Sequence, residues 1–378
     1  MSKVYLDNAA TTPLDPQVLE AMLPFMTEHF GNPSSIHSYG RKTKDAIETA
    51  RRKVSGYLNC KPNEICFTSG GTEADNIAIY DAIHTHGVKN IITSRIEHHA
   101  VLNTSMDFIS KGINVHFVDL DVNGNVSVNH LEELLQNHSE SLVSLMHANN
   151  EIGNIIDLKA VSILCRKYNA LLHSDTVQTM AHYNFDLSEL DIDYIAGSAH
   201  KFHGPKGVGF LYHKKKSSFK GIMHGGSQER DHRAGTENLY GIVGLAKAME
   251  LAFENLDEHQ VHVQGLKSHM INKLKEMIPG VAFNGESGGE SLYTVLSVKL
   301  PENDNSSMLL FSLDLEGIAV SGGSACTSGS DIGSHVLQQL KMTHDGPSIR
   351  FSFSRMNTID ELDYCLSVLR KMYESTPV

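Results

Sequence analysis

Three chemical groups that could act together stand where predicted strands of this 378-residue sequence end. Lys201 lies between an apolar run and a Gly/Pro loop, and Asp175 closes a second apolar run. Residues 69–72, Ser-Gly-Gly-Thr, join a strand to a helix. A lysine amine can form a Schiff base, a carboxylate can keep a ring nitrogen protonated, and a glycine-rich helix N-terminus can bind phosphate. Together these groups predict a pyridoxal-phosphate site.

Each group also has an ordinary explanation. Most lysines are solvated surface charges, and Asp175 could cap the helical residues that follow it. Thr72 could cap a helix that carries Glu73 in its first turn. The glycines match neither the dinucleotide Gly-x-Gly-x-x-Gly pattern nor a Walker loop, which argues against a nucleotide. The prediction therefore depends on all three groups meeting at one place.

Four more side chains are candidates for holding the same cofactor. Gln178, three residues after the aspartate, could reach the phenolic oxygen of the ring. His98 could lie against the ring face, and a surface histidine pair is the alternative interpretation. Ser198 and His200, on the N-terminal side of the lysine, could donate hydrogen bonds to the phosphate.

A second reactive centre is predicted at Cys326. It lies in the run Ser-Gly-Gly-Ser-Ala-Cys-Thr-Ser-Gly-Ser at 321–330, whose small residues are unsuited to packing as a core. The run predicts a mobile, accessible loop that could present a reactive thiolate. An accidental exposed cysteine is the alternative. Cys66 and Cys165 instead fit the pattern of inert buried fillers.

Arg350 alternates with apolar residues in the predicted strand 348–353. A half-buried arginine needs an anionic partner, and its planar guanidinium can bind a carboxylate through two parallel hydrogen bonds. This arrangement predicts binding of the α-carboxylate of an amino-acid substrate. A structural salt bridge to one of the many acidic residues is the alternative.

The composition is that of an ordinary folded protein. Hydrophobic residues make up 40% and charged residues 20%, and 32 basic against 44 acidic side chains give a net charge of −12. That charge argues against direct nucleic-acid binding. No run approaches the roughly 20 apolar residues that span a bilayer. Five cysteines without Cys-x-x-Cys spacing indicate neither disulfides nor zinc, so a cytoplasmic protein is expected.

Short apolar runs alternate with helical segments through the first part of the chain. Predicted strands lie at 64–68, 90–93, 115–118, 142–146, 170–174, 192–196 and 207–212, and predicted helices at 73–84, 100–110 and 158–168. This alternation predicts a mainly parallel sheet with helices on both faces. Ligands of such sheets bind beyond the carboxyl ends of the strands. The residues that follow predicted strand ends are Ser69, His98, Asn150, Asp175 and Lys201.

The last third of the sequence has a different pattern. A helical stretch runs from 238 to 277, shorter strands follow, and an amphipathic helix covers 359–373. We predict a large α/β domain at 14–255. Residues 1–13 and 256–378 are predicted to form a small α+β domain that carries the cysteine run.

Six short motifs are distributed over nearly the whole chain. They are Leu-Asp-Asn-Ala-Ala-Thr-Thr-Pro at 6–13, Gly-Asn-Pro-Ser-Ser at 31–35, Thr-Ser-Gly-Gly-Thr-Glu at 68–73, His-Ala-Asn-Asn-Glu-Ile-Gly at 147–153, Gly-Ser-Ala-His-Lys at 197–201 and His-Gly-Gly at 224–226. In this order they resemble the cysteine desulfurases, fold-type I pyridoxal-phosphate enzymes of the class V aminotransferase family. The cysteine run resembles the subgroup with a long, mobile cysteine loop.

The resemblance implies an aspartate-aminotransferase-like fold and a homodimer with active sites at the subunit interface. It implies that Lys201 binds pyridoxal phosphate covalently and that Asp175 pairs with the pyridinium nitrogen. Asn150 would help to place the cofactor and the substrate, and Thr236 would reach the phosphate from the neighbouring subunit. The remaining cofactor contacts are implied for Gly71, Thr72, His98, Gln178, Ser198 and His200.

The implied reaction removes sulfur from L-cysteine. Arg350 would fix the substrate carboxylate, Lys201 would move the Cα proton with His98 in a catalytic role, and the Cys326 thiolate would attack the sulfur. The products would be L-alanine and an enzyme persulfide, whose sulfur passes to an iron–sulfur scaffold or another acceptor protein. No resident metal is implied, although Cys326 could transiently ligate an iron–sulfur cluster.

Other functions compete with this one. An aminotransferase or selenocysteine lyase of the same fold would keep Lys201 and Asp175 but would not need Cys326. A non-catalytic sulfur carrier or scaffold-binding protein would not need the lysine, the aspartate and the phosphate cradle together. Metal binding is a more distant alternative because His-Glu-x-x-His is absent despite 22 histidines.

Overall fold

The computed structural model describes residues 3–214, 221–304, 306–322, 333–340 and 346–374. Its strands are β1 (Val4–Tyr5), β2 (Ile65–Thr68), β3 (Asn90–Thr93), β4 (Asn114–Phe117), β5 (Ser141–Ser144), β6 (Leu171–Asp175), β7 (Tyr194–Ser198), β8 (Gly209–His213), β9 (Ala282–Phe283), β10 (Val295–Lys299), β11 (Ile318–Ala319) and β12 (Ser348–Ser352). Its α-helices are α1 (Pro16–Thr27), α2 (Ser38–Tyr57), α3 (Gly71–His84), α4 (His99–Ile109), α5 (Val128–Asn137), α6 (Leu158–Lys167), α7 (Leu239–Glu254), α8 (Leu256–Met277), α9 (Leu309–Leu315) and α10 (Ile359–Glu374).

A seven-stranded sheet forms the centre of the fold, in the order β2-β8-β7-β6-β5-β3-β4. Strand β8 is antiparallel to both of its neighbours, and the other pairs are parallel. The predicted α/β fold with a mainly parallel sheet is therefore confirmed. The carboxyl ends of the parallel strands lie along one edge, which is where ligands bind in such sheets.

Helices cover both faces of this sheet because its strands are apolar on both sides. Ile92 and Val143 belong to one hydrophobic cluster, whereas their strand neighbours Ile91 and Leu142 belong to another. Successive side chains of a strand point to opposite faces, so a continuous apolar run places residues in both clusters. The first cluster takes residues from α2, α6 and α7, and the second from α3 and α4.

The helical stretch predicted at 238–277 is not one helix, and this part of the prediction is wrong. The structure ends α7 at Glu254 and begins α8 at Leu256. Asn255 lies between them with φ −127° and ψ 28°, outside helical geometry, and its side-chain amide donates to the Leu251 carbonyl at 3.4 Å. Asparagine side chains compete for backbone hydrogen bonds in this way, which a count of apolar spacing does not register.

The last third of the chain packs around its own hydrophobic cluster, which includes Leu266, Met270, Leu296 and Phe351. Three antiparallel strands in the order β12-β10-β9 form its sheet. The N-terminal segment joins it through β1, which pairs in parallel with β11, and through Leu6 in the cluster. Within the described ranges, no helix combines the length and apolar character needed to cross a bilayer.

Candidate active site

A single cavity of about 390 Å³ gathers most of the predicted site residues at the carboxyl edge of the large sheet. Strand β6 ends at Asp175, β7 ends at Ser198 just before Lys201, and α3 begins at Gly71. These three points come together because β6 and β7 are parallel neighbours, and β2, beyond the antiparallel strand β8, runs in the same direction as β7. The predicted residues that line the cavity are Gly71, Thr72, His98, Asn150, Asp175, Gln178, Ser198, His200, Lys201 and Arg350.

The Lys201 amine is held by the N-terminal segment, whose Ala9 and Ala10 line the cavity. Its Nζ donates to the Ala10 carbonyl at 3.0 Å and also to the carbonyl of Ala9. Gln178 donates to the same Ala9 carbonyl at 3.1 Å. The segment is tied down by the Thr12 backbone N–H, which donates to the His200 carbonyl at 2.9 Å. The lysine is therefore a half-buried amine inside a shaped cavity rather than a solvated surface charge.

Asp175 presents a buried carboxylate to the same cavity. Its Oδ1 accepts a hydrogen bond from the Val177 backbone N–H at 2.9 Å. Burial raises the pKa of Asp175, and the nearby His98 and Lys201 oppose this increase. A ring nitrogen of His98 and carboxylate oxygens of Asp75 and Asp175 all lie within 4.8 Å of one another. The buried carboxylate is suited to a positively charged ligand atom, such as a protonated ring nitrogen.

The N-terminus of α3 forms the candidate anion cradle. A Cβ added at Gly71 would lie 2.5 Å from Cγ2 of Val177, so the helix start can approach the end of β6 only with glycine at this position. Ser198 and His200 line the cavity beside it. Burial, with the charge of Lys201, lowers the pKa of His200 to about 4, so its ring is neutral near pH 7. Helix N-termini leave backbone N–H groups unpaired, which favours an anion here.

We predict that Gly71→Ala weakens binding of the expected pyridoxal phosphate by about tenfold or more, because overpacking of about 1–3 kcal/mol must push α3 away from Val177. The change is measured by fluorescence titration of the cofactor-free protein. Gly56→Ala is the matched control, since no atom lies within 4 Å of a Cβ added near the end of α2. Equal affinities of the two variants would contradict the prediction.

Arg350 has features of both interpretations that the sequence allowed, a substrate-carboxylate site and a structural salt bridge. Its side chain is 2% exposed and makes a salt bridge to Asp7, with Nη2 donating to Oδ1 at 2.9 Å. Its Nη1 donates to the Asn150 carbonyl at 2.9 Å, and the residue also lines the cavity. Within the described part of the chain, its Nε has no hydrogen-bond partner. The guanidinium is thus structurally anchored and still has a donor for a further acceptor.

Two predicted residues are not placed in this cavity. Thr236 lines a separate depression together with Ser69, Gly207 and Arg233. Its approach to a phosphate in the neighbouring subunit therefore stays a prediction. Cys326 lies outside the described residues.

The cavity also contains residues that the sequence analysis missed: Ala9, Ala10, Asp75, His99, Met146, Val177, Glu151 and His335. Asp75 carried a usable signal, because it stands four residues after Gly71 and so shares its helix face. His335 had none. Its Nε2 lies 3.0 Å from the Glu97 carbonyl and its ring centroid 4.5 Å from that of His99, contacts that join distant parts of the chain.

Glu97 is a buried acid next to this cavity. Its Oε1 accepts from the Met146 N–H at 2.9 Å and from the Ser94 hydroxyl at 3.3 Å. Burial, together with the negative charge of Asp175, raises the pKa of Glu97 to about 8 from the ordinary 4.5. The group therefore stays protonated in the folded protein at neutral pH and is ionised in the unfolded chain.

We predict that Glu97→Gln makes stability less sensitive to alkali. Between pH 4.5 and 8 only unfolded Glu97 loses its proton, so the wild type loses up to about 1.4 kcal/mol of unfolding free energy per pH unit. Below pH 4.5 Glu97 is protonated in both the folded and the unfolded wild type, so none of this unfolding free energy is lost there. Glutamine retains the acceptor oxygen but cannot ionise. Urea unfolding of the cofactor-free proteins should show that the unfolding free energy of the variant rises relative to that of the wild type from pH 5 to pH 8. A difference that does not change with pH would contradict the raised pKa of Glu97.

The sequence pattern of the aminotransferase class-V family matches residues 4–365. The chain therefore belongs to this family. Cysteine desulfurase IscS from Clostridium botulinum is 44% identical over 381 residues, covering 98% of this chain and 94% of the relative. The cysteine desulfurase IscS of Methanosarcina thermophila is 42% identical and covers 99% and 94%. A solved NifS-like protein matches with a TM-score of 0.90 at 38% identity, covering 99% of this chain and 100% of its own.

Within the class V family, the chain is a member of the cysteine desulfurases. This confirms the resemblance that its six motifs indicated and identifies the protein as an enzyme. It also gives the fold an independent basis, because the NifS-like structure covers nearly every residue.

Proposed function

We propose that this enzyme uses pyridoxal phosphate to remove sulfur from L-cysteine, forming L-alanine and a persulfide on Cys326. The observation that carries the proposal is one cavity that joins the Lys201 amine, the buried Asp175 carboxylate and the start of α3. The family supplies the class of reaction, and the cavity supplies the groups that such a reaction requires.

The residues of the cavity fit pyridoxal phosphate. The Gly71 backbone, Thr72, Ser198 and His200 would hold its phosphate, and Asp175 would pair with its ring nitrogen. Gln178 would bind the ring oxygen and His98 would lie against the ring. When bound, the cofactor supplies an aldehyde that condenses with amines and a ring that accepts electrons from the substrate Cα.

The chain's own groups then handle the substrate and its protons. Arg350, fixed by Asp7 and the Asn150 carbonyl, would bind the substrate carboxylate. Lys201, already inside the cavity, would take the Cα proton. His98 Nδ1 accepts from the Ala100 N–H at 3.1 Å, so in the neutral ring the proton is on Nε2.

Cys326 is the candidate nucleophile because the other cysteines are unsuited. Burial raises the pKa of Cys60, Cys165 and Cys365 to about 12 each, and that of Cys66 well above its ordinary value. These thiols are protonated and poorly nucleophilic. In the proposed step, the Cys326 thiolate forms an S–S bond as the substrate C–S bond breaks. The electron pair left on carbon takes a proton, which gives L-alanine.

We further propose a cytoplasmic homodimer in which Thr236 completes the site of the other subunit. Exposed apolar side chains on α1 and the segment after it support an interface, with Phe30 71% and Ile36 90% exposed.

An iron–sulfur scaffold or another acceptor protein would take the sulfur. The separate hydrophobic cluster of the last third supports a domain division at 14–255 against 1–13 and 256–378.

The test uses the purified full chain loaded with pyridoxal phosphate and supplied with L-cysteine and a reductant. We expect equal amounts of L-alanine and sulfide. Alanine formation that requires a keto acid as amino acceptor would instead indicate an aminotransferase. A strong preference for L-selenocysteine would indicate a lyase for that substrate.

Arg350→Lys tests the carboxylate role. Lysine keeps the charge but loses the paired donors, so we expect KM for L-cysteine to rise by about 10–100-fold, as for loss of a charge-assisted hydrogen bond of about 1.5–3 kcal/mol. Cofactor affinity, measured by titration, serves as the internal control and should stay within a few-fold of wild type. A fall in thermal stability with unchanged KM would support the purely structural salt bridge to Asp7.

A further inference from the structure

Asp75 is a second buried carboxyl group beside the cofactor site, and the proposed function gives it no role. Its side chain is 1% exposed, and one of its oxygens lies within 4.8 Å of a carboxylate oxygen of Asp175. It stands on α3 one turn after Gly71. The helix that carries the anion cradle therefore also brings this carboxyl group to the end of β6.

Asp75 is connected on its other side to two fully buried polar groups. His173 Nε2 lies 3.3 Å from Asp75 Oδ1, and His173 Nδ1 lies 2.8 Å from the Ser144 hydroxyl oxygen. His173 precedes Asp175 by two residues on β6, so both side chains point to the same face of the sheet. Ser144, His173, Asp75 and Asp175 thus form a row of polar groups that ends at the cavity.

The charges in this row favour one ionised carboxylate. Burial lowers the pKa of His173 to about 3, so the ring is neutral and has a single N–H. Burial, followed by the charge of Asp175, raises the pKa of Asp75 well above its ordinary value. Two buried carboxyl groups this close share one negative charge. Burial also raises the pKa of Asp175, but there His98 and Lys201 oppose the increase, so the charge falls on Asp175.

We propose that Asp75 is a positioning residue, whose neutral carboxylic acid, fixed by His173 and Ser144, holds the Asp175 carboxylate against the cofactor's ring nitrogen. With Ser144 donating to His173 Nδ1, the ring proton of His173 is on Nε2, which lies 3.3 Å from Asp75 Oδ1, and the acid proton on the other Asp75 oxygen is left for Asp175. The inference rests on the proposed function, in which Asp175 is the partner of that nitrogen.

The test compares holoenzymes that carry pyridoxal phosphate labelled with ¹⁵N in the ring. In Asp75→Leu, which removes the donor at similar volume, we expect the ¹⁵N resonance to move toward that of a neutral pyridine. Cofactor affinity should fall about tenfold, the order expected when a buried polar group loses its partner. Asp75→Asn supplies a neutral donor for Asp175 and an acceptor for His173, so it should restore the wild-type resonance.

Two results would overturn the inference: an unchanged resonance and affinity in Asp75→Leu, or equal damage by Asp75→Asn. If Asp75→Leu does not fold, the ¹⁵N resonance is measured in Ser144→Ala instead. Ser105→Ala is the control, because it removes another wholly buried hydroxyl. Indistinguishable spectra of these two serine variants would also overturn it. Asp175→Asn tests the proposed function separately from the inference about Asp75. If the ring nitrogen stays protonated in that variant, Asp175 is not its partner and the proposed function itself is contradicted.

Discussion

Lys201→Ala is expected to lower the rate of sulfide release by about 10⁴-fold or more, because it removes both the proposed covalent anchor of the cofactor and the proposed base for the Cα proton. The amine enters the cavity just after the end of β7, and the Ala9 and Ala10 carbonyls hold it there. Sulfide and alanine are both measured.

The covalent link itself gives a second readout. Borohydride treatment of the wild-type holoenzyme should fix the cofactor to the peptide that contains Lys201, as detected by mass spectrometry, and the variant should show no such adduct. Lys159→Ala, an exposed lysine on α6, is the control and should keep both the adduct and the rate. Modification of a different lysine in the wild type would contradict the assignment.

The sequence predicted the carboxyl-edge part of the site because its signals are local. Asp175 and Lys201 each follow a short apolar run, and a run that is apolar on both faces becomes an interior parallel strand. Once the strands are parallel and adjacent, their ends must meet. Gly71 reaches the same edge because it follows β2, which runs in the same direction as β7 on the other side of β8.

The parts that sequence analysis missed depend on contacts between distant segments. Ala9 and Ala10 enter the site because Asn8 Nδ2 donates to the Ser352 carbonyl at 2.8 Å and Thr12 N–H to the His200 carbonyl at 2.9 Å. Neither contact leaves a periodic pattern in the sequence. The break between α7 and α8 was missed for another reason, because one asparagine changes the backbone without changing the apolar spacing.

Asp75 and Glu97 show a further limit of the sequence. Both are acidic residues in helical or loop contexts where an acid is ordinarily solvated. Their raised pKa values result from burial beside Asp175, which only the packing of α3 and the loop after β3 against β6 produces. The row formed by Ser144, His173, Asp75 and Asp175 could therefore be recognised only from the folded structure, because the sequence does not show that these residues lie side by side.

Cys326→Ser is expected to separate cofactor chemistry from sulfur transfer. The variant should bind pyridoxal phosphate with wild-type affinity and keep its yellow colour, because every predicted cofactor contact remains. Sulfide release should fall on the order of 10³-fold, since a serine hydroxyl at neutral pH is a far weaker nucleophile than a thiolate and cannot store sulfur as a persulfide.

Cys60→Ser is the matched control for this change. Its thiol is half-buried and its pKa is raised to about 12, so the substitution should leave sulfide release close to wild type. Mass spectrometry after a single addition of L-cysteine should find one extra sulfur atom on the Cys326 peptide of the wild type. An extra sulfur on Cys60, or unchanged release by Cys326→Ser, would mean that another group accepts the sulfur. The lyase interpretation would then gain support, because it requires the Lys201 and Asp175 cavity but no enzyme thiol.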